Sequence, residues 1–396
     1  MDGTSRRYSR RLSWSVPPSP LSLLVEEEIA RGNVLLDLTS SNPTRAGLPY
    51  SSTLLSALTH PEGLIYRPDP SGLPVARAAI ARYYAERGHA VDPEHLVLTA
   101  STSEAYAWVF KLLCDPGDTV LVPQPSYPLF DYLAALECVS LRPYHLGFDG
   151  HWYLDEAELD RVAEGAKAAL LVHPNNPTGS FLSRAEWEAL VTRAGARGFA
   201  LVVDEVFSDF VLTPGGDRLD STVSEARVLT FTLSGLSKVV GLPQLKLGWI
   251  HVGGPAAEVR EALARLELIA DTYLSVSTPV ALAAPSLLAE WRQLAEPLVR
   301  RTAGNLALIA AAVAGSPVSL LPVAGGWYAM LRLPRTRSDE EWAMTLVRRD
   351  GVLVQPGYFY DVPIEACLVI SLLTPPEILK EGLDRLRRRV ETDAGA

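Results

Sequence analysis

The residues of this chain best suited to chemistry fall at the ends of short apolar runs. Two lysines, Lys238 and Lys246, stand in SGLSKVVGLPQLKLGWI (Ser234 to Ile250), a stretch otherwise apolar, glycine-rich and short on charge. Lysine is almost never fully buried unless its ammonium is paired or its pKa is lowered far enough to leave a neutral amine. A desolvated amine of that kind is the nucleophile that forms a Schiff base with a carbonyl. Lys238, with Ser237 beside it, is placed for that reaction.

Four other strand-like ends carry polar groups. Asp204 closes the run FALVVD; a carboxylate there is costly unless it meets a cation or hydrogen-bond donors, and capping a following helix is the alternative use. In HPNNPTG (His173 to Gly179) the X-Pro steps make an extended, turning loop and are candidates for the cis form. The amide of Asn176 could bond a ligand oxygen there, although NPTG also reads as a plain turn. Tyr127, between prolines in VPQPSYPLF, is a rigid aromatic that can stack on a flat ring or sit in a core with its hydroxyl bonded. In LTASTSEAY, Ser101 and Glu104 have capping-box spacing, which leaves the backbone N–H groups of Thr102 and Ser103 free at a helix start. With three hydroxyls around it, that start suits a phosphate, and it serves equally well as a capped helix without a ligand.

These ends belong to an alternating pattern. From about residue 70 to 255 the apolar runs HLVLTA, TVLVP, AALLVHP, FALVVDE, VLTFTLS and LGWIHVG are separated by helical stretches such as PVARAAIARYYAERG, Ser103 through Leu113, and SRAEWEALVTRAGARG. That alternation predicts βαβ units and a mostly parallel sheet covered by helices on both faces, with ligands outside the carboxyl ends of its strands. After residue 255 come two long helical stretches, roughly 256 to 270 and 280 to 314, then strand candidates WYAMLRLP, GVLVQPG and CLVISLL around the helix SDEEWAMTLVRRD. This C-terminal texture predicts a smaller α+β unit, joined by the N-terminal segment. The boundaries expected are 45–280 for the large α/β domain, with 1–44 and 281–396 forming the small one.

Taken in order, the phosphate-ready helix start, the proline-flanked tyrosine, NNPTG, DEVF and SGLSK with a basic residue eight positions later resemble the class I/II aminotransferases, fold-type I pyridoxal-phosphate enzymes. The likeness runs from SNPT at Ser41 to LVISLL at Leu368. It implies a mostly parallel mixed seven-stranded sheet with a smaller α+β domain, pyridoxal 5′-phosphate as cofactor, and transfer of an amine to a keto acid or aldehyde. On the same resemblance, Lys238 forms the Schiff base and moves the proton, and Asp204 pairs with the pyridine nitrogen, favouring the protonated ring that acts as electron sink. Asn176 matches the donor to the ring 3′-oxygen and Tyr127 the stacking aromatic. Ser101, Thr102, Ser103, Ser237 and Lys246 match the phosphate ligands. Tyr66, in IYRPDPSGLP, resembles the tyrosine that reaches the phosphate of a neighbouring subunit, which implies a homodimer with shared active sites.

The chain also departs from the pattern. It has STS where glycine is usual in the phosphate turn, and Phe207 (DEVF) where a tyrosine would give the 3′-oxygen a second bond. Gly235 stands where a serine is expected, with Ser234 one place early, and Lys246 where an arginine would offer a planar fork. The arginine that clamps a substrate carboxylate in the family's R-aliphatic-S pattern is matched by Val369, ahead of Ile370 and Ser371. Losing such a buried pair typically costs ~2–5 kcal/mol when the partner remains. The substitute expected is Arg45, in the substrate-loop segment with Ser41 and Asn42; a surface arginine is the other reading. Trp327, Tyr328, Tyr358, Phe359 and Tyr360 could line an aromatic pocket or pack the smaller domain.

Composition sets the outer limits. A chain of 396 residues with 48% hydrophobic and 21% charged residues suits two well-packed domains. A net charge of −10 offers no footprint for nucleic acid, and the basic run from Arg6 to Arg11 reads as a solvated arm. Cys114, Cys138 and Cys367 lie far apart without a CxxC pair, so neither disulfides nor a metal site is expected, and a cytoplasmic location fits. Prolines and acids interrupt LSWSVPPSPLSLLVEEE, which argues against a signal peptide, and no apolar run approaches the ~18 residues of a membrane span. Within the same cofactor chemistry, a β-eliminating C–S lyase is the rival to a transaminase; a non-catalytic cofactor-binding regulator is the other.

Overall fold

The computed structural model describes residues 9–12 and 17–394. Helix α1 (Pro20–Ala30), capped by Ser19, precedes the two-residue strand β1 (Leu36–Asp37). Helix α2 (Pro74–Glu86) then leads into β2 (Leu96–Thr99), α3 (Thr102–Leu113), β3 (Thr119–Gln124) and α4 (Phe130–Leu136). The chain continues through β4 (Ser140–Phe148), β5 (Trp152–Leu154), α5 (Glu156–Val162), β6 (Ala166–Val172) and α6 (Arg184–Arg197). Strands β7 (Ala200–Asp204) and β8 (Thr230–Gly235), the one-turn helix α7 (Leu236–Val239) and β9 (Gly248–Gly253) complete the first sheet.

That sheet has the order β2-β9-β8-β7-β6-β3-β4-β5. Its centre, β8-β7-β6-β3-β4, is parallel, while β9 runs antiparallel to both β8 and β2. The eighth strand, beyond the expected seven, is β5, which folds back on β4 with Leu146 opposite Leu154. Side chains alternate across the strands: Val202 packs with α3 and with the later helix Ala256–Tyr273 on one face, whereas Leu201 and Val203 meet α6 on the other. Burial on both faces is why these strands read as continuous apolar runs rather than alternating ones. Several helices are delimited by local chemistry. Helix α6, for instance, starts with a Ser183–Glu186 capping box and stops at Gly198, whose φ of 73° suits a residue without Cβ.

Helices α8 (Ala256–Tyr273), α9 (Thr278–Ala289) and α10 (Trp291–Val313) follow. The single stretch expected from 280 to 314 is therefore two helices, broken at Glu290 (φ −106°, ψ 13°). Pro285 and Pro297 sit inside these helices without ending them. The remainder comprises β10 (Ser319–Leu320), β11 (Tyr328–Arg332), α11 (Asp339–Asp350), β12 (Val352–Leu353), β13 (Gln355–Pro356), β14 (Cys367–Ser371) and α12 (Pro376–Ala394). An antiparallel sheet β10-β11-β14-β13 and a parallel pair β1-β12 pack with α1, α11 and α12 around a second apolar core that includes Leu38, Trp342, Leu346 and Leu368.

The N-terminal basic run is only partly described: Arg6 and Arg7 lie outside the described residues. Arg11 is exposed, and its Nη1 also donates to the carbonyl of Leu136 at 3.1 Å. Among the described residues no helix is long and apolar enough to cross a membrane.

Candidate active site

The strand ends expected to carry chemistry converge. Parallel pairing sets Val172 of β6 beside Asp204 of β7, and Asp204 beside Leu233 of β8, so the polar groups after these runs open on one edge of the sheet. They line a cavity of about 290 Å³, whose walls include Ser41, Ser101, Thr102, Ser103, Tyr127, Asn176, Asp204, Phe207, Ser237, Lys238 and Lys246. Eleven residues chosen from the sequence thus meet in one place. Asn42, Arg45 and Tyr66 do not line it.

Asp204 is 8% exposed, and its carboxylate is already bonded twice. Its Oδ1 accepts from the N–H of Val206 at 3.0 Å and its Oδ2 from the hydroxyl of Tyr106 at 3.1 Å. Burial pushes its pKa up to about 6; those two hydrogen bonds and the charge of Lys238 pull the other way. Lys238, on α7, has a lowered pKa because burial disfavours its ammonium, an effect that Asp204 opposes. Its Nζ lies 5.6 Å from the ring centroid of Phe207 and 5.1 Å from that of Trp327, both within cation–π range.

Across the cavity, α3 begins at Thr102 with Ser101 as its cap, the Ser101 Oγ accepting from the N–H of Glu104 at 3.2 Å. The return half of the expected capping box is shifted by one residue: Glu104 Oε2 accepts from the N–H of Ala100 rather than from Ser101. The N–H groups of Thr102 and Ser103 have no acceptor within the helix, and the positive end of the helix dipole faces the cavity. No glycine is needed in this turn, since Ser101 is extended (φ −169°).

Glycine is needed opposite. Gly235 and Gly248 face each other at the ends of β8 and β9. A Cβ on Gly235 would lie 2.9 Å from the carbonyl oxygen of Leu247, which explains sterically why the expected serine is missing. A Cβ on Gly248 would lie 3.0 Å from Thr99 Oγ1 and 3.2 Å from the carbonyl carbon of Ser101. Lys246, just before, takes a left-handed conformation (φ 54°) unusual for a residue with a side chain.

Asn176 is buried, and its Oδ1 has no hydrogen-bond partner. It follows the cis His173–Pro174 bond and precedes the cis Asn176–Pro177 bond, as its loop sequence suggested. Asn42 is spent on its own turn, accepting at Oδ1 from Thr44 N and Thr44 Oγ1 at 3.0 and 2.7 Å. Arg45 is exposed beside it. Tyr66 is 78% exposed and borders a separate, small cleft with Arg67 and Ser275.

Of the C-terminal aromatics only Tyr328 reaches the cavity, while Trp327 packs behind Phe207 at 5.4 Å between ring centroids. Tyr358 donates to Glu340 and Tyr360 to Gln355, and Phe359 packs against the second core. Sequence reasoning missed Tyr106, although its place one helical turn beyond Thr102 puts both on one face of α3.

Known proteins resemble this chain over nearly its whole length. The family model described as aminotransferase class I and II matches residues 52–386. The chain belongs to the class I and II aminotransferase family. It is 26% identical over 382 residues to a glutamate-pyruvate aminotransferase of Haemophilus influenzae, covering 93% of this chain and 92% of that one. It is 27% identical over 375 residues to an alanine aminotransferase of Mycobacterium bovis, covering 90% of this chain and 86% of that one. An alanine aminotransferase from Pyrococcus furiosus superposes with a TM-score of 0.88 at 24% identity, over 98% of this chain and 100% of that one, and shares its fold. This aminotransferase is accordingly a transferase of nitrogenous groups, in a family whose fold is that of pyridoxal-phosphate enzymes. Among its described residues no group of His, Cys, Asp and Glu is arranged to hold a metal ion.

Proposed function

We propose that this aminotransferase binds pyridoxal 5′-phosphate in the cavity between Asp204, Lys238 and the start of α3, and moves an amine from donor to keto or aldehyde acceptor in two half-reactions. The observation that carries the reading is one cavity holding a burial-lowered lysine, a buried carboxylate and a helix N-terminus. The buried side-chain amide of Asn176 fits the group as well: its unpartnered Oδ1 would accept from a ring hydroxyl, and with the amide turned over its Nδ2 would donate to a ring oxygen.

When bound, the cofactor supplies an aldehyde that takes up an amine and a conjugated ring that accepts the electron pair left by a departing Cα proton. Lys238 Nζ would anchor it and, once displaced by a donor, carry that proton. Asp204 would pair with the ring nitrogen and favour its protonated form, Tyr127 would stack on the ring, and Phe207 would add an apolar wall without a second hydrogen bond to the 3′-oxygen. Ser101, Thr102, Ser103, Ser237 and Lys246 would hold the phosphate, Lys246 as a point charge.

A homodimer fits the exposed segment at Leu64 (94%), Ile65 (47%) and Tyr66 (78%), an apolar edge that a second copy would cover, bringing its own Tyr66 to the phosphate. Separate apolar cores suit a large and a small domain, but the boundary expected at 280 falls inside α9, whose Ala281, Ala284 and Leu288 pack with Ile80, Tyr84 and Trp249, so α9 goes with the large domain. A reducing cytoplasm suits Cys114, Cys138 and Cys367, which are free thiols. The test is incubation of purified protein with amino donors. Stoichiometric conversion of the bound cofactor to its amine form supports transfer, whereas pyruvate and ammonia released from a cysteine conjugate would replace it with elimination.

A further inference from the structure

We infer that Tyr106 is a positioning residue of this site: by donating its hydroxyl to Asp204 Oδ2 it makes the carboxylate a weaker base and so leaves the shared proton on the ring nitrogen of the cofactor. The inference rests on the cofactor reading of the same cavity and concerns a residue outside the positions matched to the family.

Geometry is the first ground. Tyr106 stands one helical turn beyond Thr102 on α3, and both line the cavity. One helix thus presents free N–H groups at its first turn and a phenolic hydroxyl at the next. The tyrosine ring is buried, edge-on to Phe130 with centroids 5.2 Å apart and tilted against Phe110 at 6.4 Å. A phenylalanine would fill that space equally well. The hydroxyl is the difference, and a hydroxyl buried among rings is costly unless it is bonded. It meets Asp204 Oδ2 at 3.1 Å. Burial, and then the carboxylate itself, hold the phenol well above its usual pKa, so it stays protonated and donates.

The balance at Asp204 is the second ground. Burial raises its pKa to about 6, while the N–H of Val206 at Oδ1, the hydroxyl of Tyr106 at Oδ2 and the charge of Lys238 oppose the rise and Glu205 adds to it. The hydroxyl of Tyr127, raised by burial and then by this carboxylate, is the remaining titratable neighbour. The outcome is a carboxylate about as basic as a pyridine. Between bases so nearly matched, a single hydrogen bond decides which of them keeps the proton. A bond to an ionised group moves such an equilibrium about ten- to a hundredfold. The donor at Oδ1 belongs to the backbone, which leaves Tyr106 as the side chain that sets the balance.

Without that bond, the proton passes from the ring nitrogen to Asp204, and a neutral ring beside a neutral carboxyl replaces the ion pair. No electrons are exchanged and no atom is lost. The neutral ring is the poorer sink for the electron pair left by a departing Cα proton.

The test loads full-length wild type and Tyr106→Phe with cofactor isotope-labelled at the ring nitrogen and reads the nitrogen chemical shift by NMR, which separates protonated from neutral pyridine. In Tyr106→Phe the resonance is expected to move toward the neutral value. With 3-fluorotyrosine at position 106, a stronger donor of nearly the same shape, it is expected to move toward the protonated one. Phe110→Leu loosens the same packing without touching the hydrogen bond, so it should lower Tm and leave the resonance in place. An unchanged resonance in Tyr106→Phe, or an equal movement in Phe110→Leu, overturns the inference and leaves the cofactor site standing. Should Tyr106→Phe fail to hold cofactor, the fluorotyrosine protein decides: no movement toward the protonated value overturns the inference. Wild type in which borohydride fixes no cofactor on Lys238 overturns the cofactor reading itself.

Discussion

The hydroxyl of Tyr106 donates to Asp204 Oδ2 at 3.1 Å, tying α3, whose first residues line the cavity, to the carboxylate that closes β7. The tyrosine is 3% exposed and wedged edge-on against Phe130, 5.2 Å between ring centroids, so it has no other place to point. Removing it leaves a buried carboxylate oxygen without a donor. Tyr106→Phe is expected to cost ~1.5–3 kcal/mol of stability at pH 8, where Asp204 is ionised, and less at pH 5, where it is protonated. Urea unfolding of the cofactor-free protein at the two pH values measures this; an equal loss at both would assign the effect to packing alone.

Asp204 also sets a pH dependence whose sign is fixed. Its pKa is about 6 in the fold against 3.8 when unperturbed. Between those values the folded state keeps a proton that the unfolded chain has released, so this group's contribution to stability falls as pH rises from about 4 to 6. A difference of that size corresponds to ~3 kcal/mol. Asp204→Asn, which keeps the shape and removes the titration, is therefore expected to be more stable than wild type at pH 7 and to lose that advantage by pH 4. Chemical denaturation of the two cofactor-free proteins across this range checks it. Cofactor with a protonated ring should reverse the order by giving the ionised carboxylate a cation.

Lys238 should be reactive where ordinary lysines are not. Burial lowers its pKa, so its neutral amine is present at lower pH than that of an exposed lysine. Cofactor-free protein treated with a small aldehyde and cyanoborohydride is expected to label Lys238 at lower pH than the exposed Lys380, with mass spectrometry locating the adducts. Asp204→Asn, by removing the opposing charge, should move the Lys238 profile lower still.

The close approach at Gly248 can be tested by one methyl group. Gly248→Ala places a Cβ about 3 Å from Thr99 and the carbonyl carbon of Ser101. The expected cost is ~1–3 kcal/mol in stability, with weaker cofactor binding because the start of α3 is pushed away. Gly304→Ala is the control. It lies in α10 with nothing within 4 Å of the new Cβ, and it should stabilise by up to ~1 kcal/mol. Thermal melts and cofactor titrations of both variants separate a local clash from a general effect of losing glycine.

What could be read from the sequence and what could not divide along physical lines. The strand ends were legible because a parallel strand buried on both faces is a continuous apolar run, and Asp204, Asn176 and Lys238 interrupt or close such runs. The β5 hairpin was hidden because three residues carry too little periodicity to register. The break at Glu290 was hidden because no glycine marks it, while Pro285 and Pro297 lie within helices and give a misleading signal. Arg11 is exposed as its charge suggests, but nothing local reveals its acceptor 125 positions away at Leu136. Arg45 looked well placed because sequence proximity to Ser41 suggested a shared site, whereas the turn capped by Asn42 leaves it exposed. Tyr106 was overlooked because its partner, Asp204, comes from a strand 98 positions away.

The central claim is that Lys238 holds the cofactor. Full-length protein incubated with pyridoxal phosphate, reduced with borohydride, digested and analysed by mass spectrometry should carry one stable adduct, on Lys238. The Lys238→Ala variant should be colourless with an unchanged circular dichroism spectrum. An adduct on Lys246 or any other lysine, or a variant as yellow and as reducible as wild type, would contradict the account.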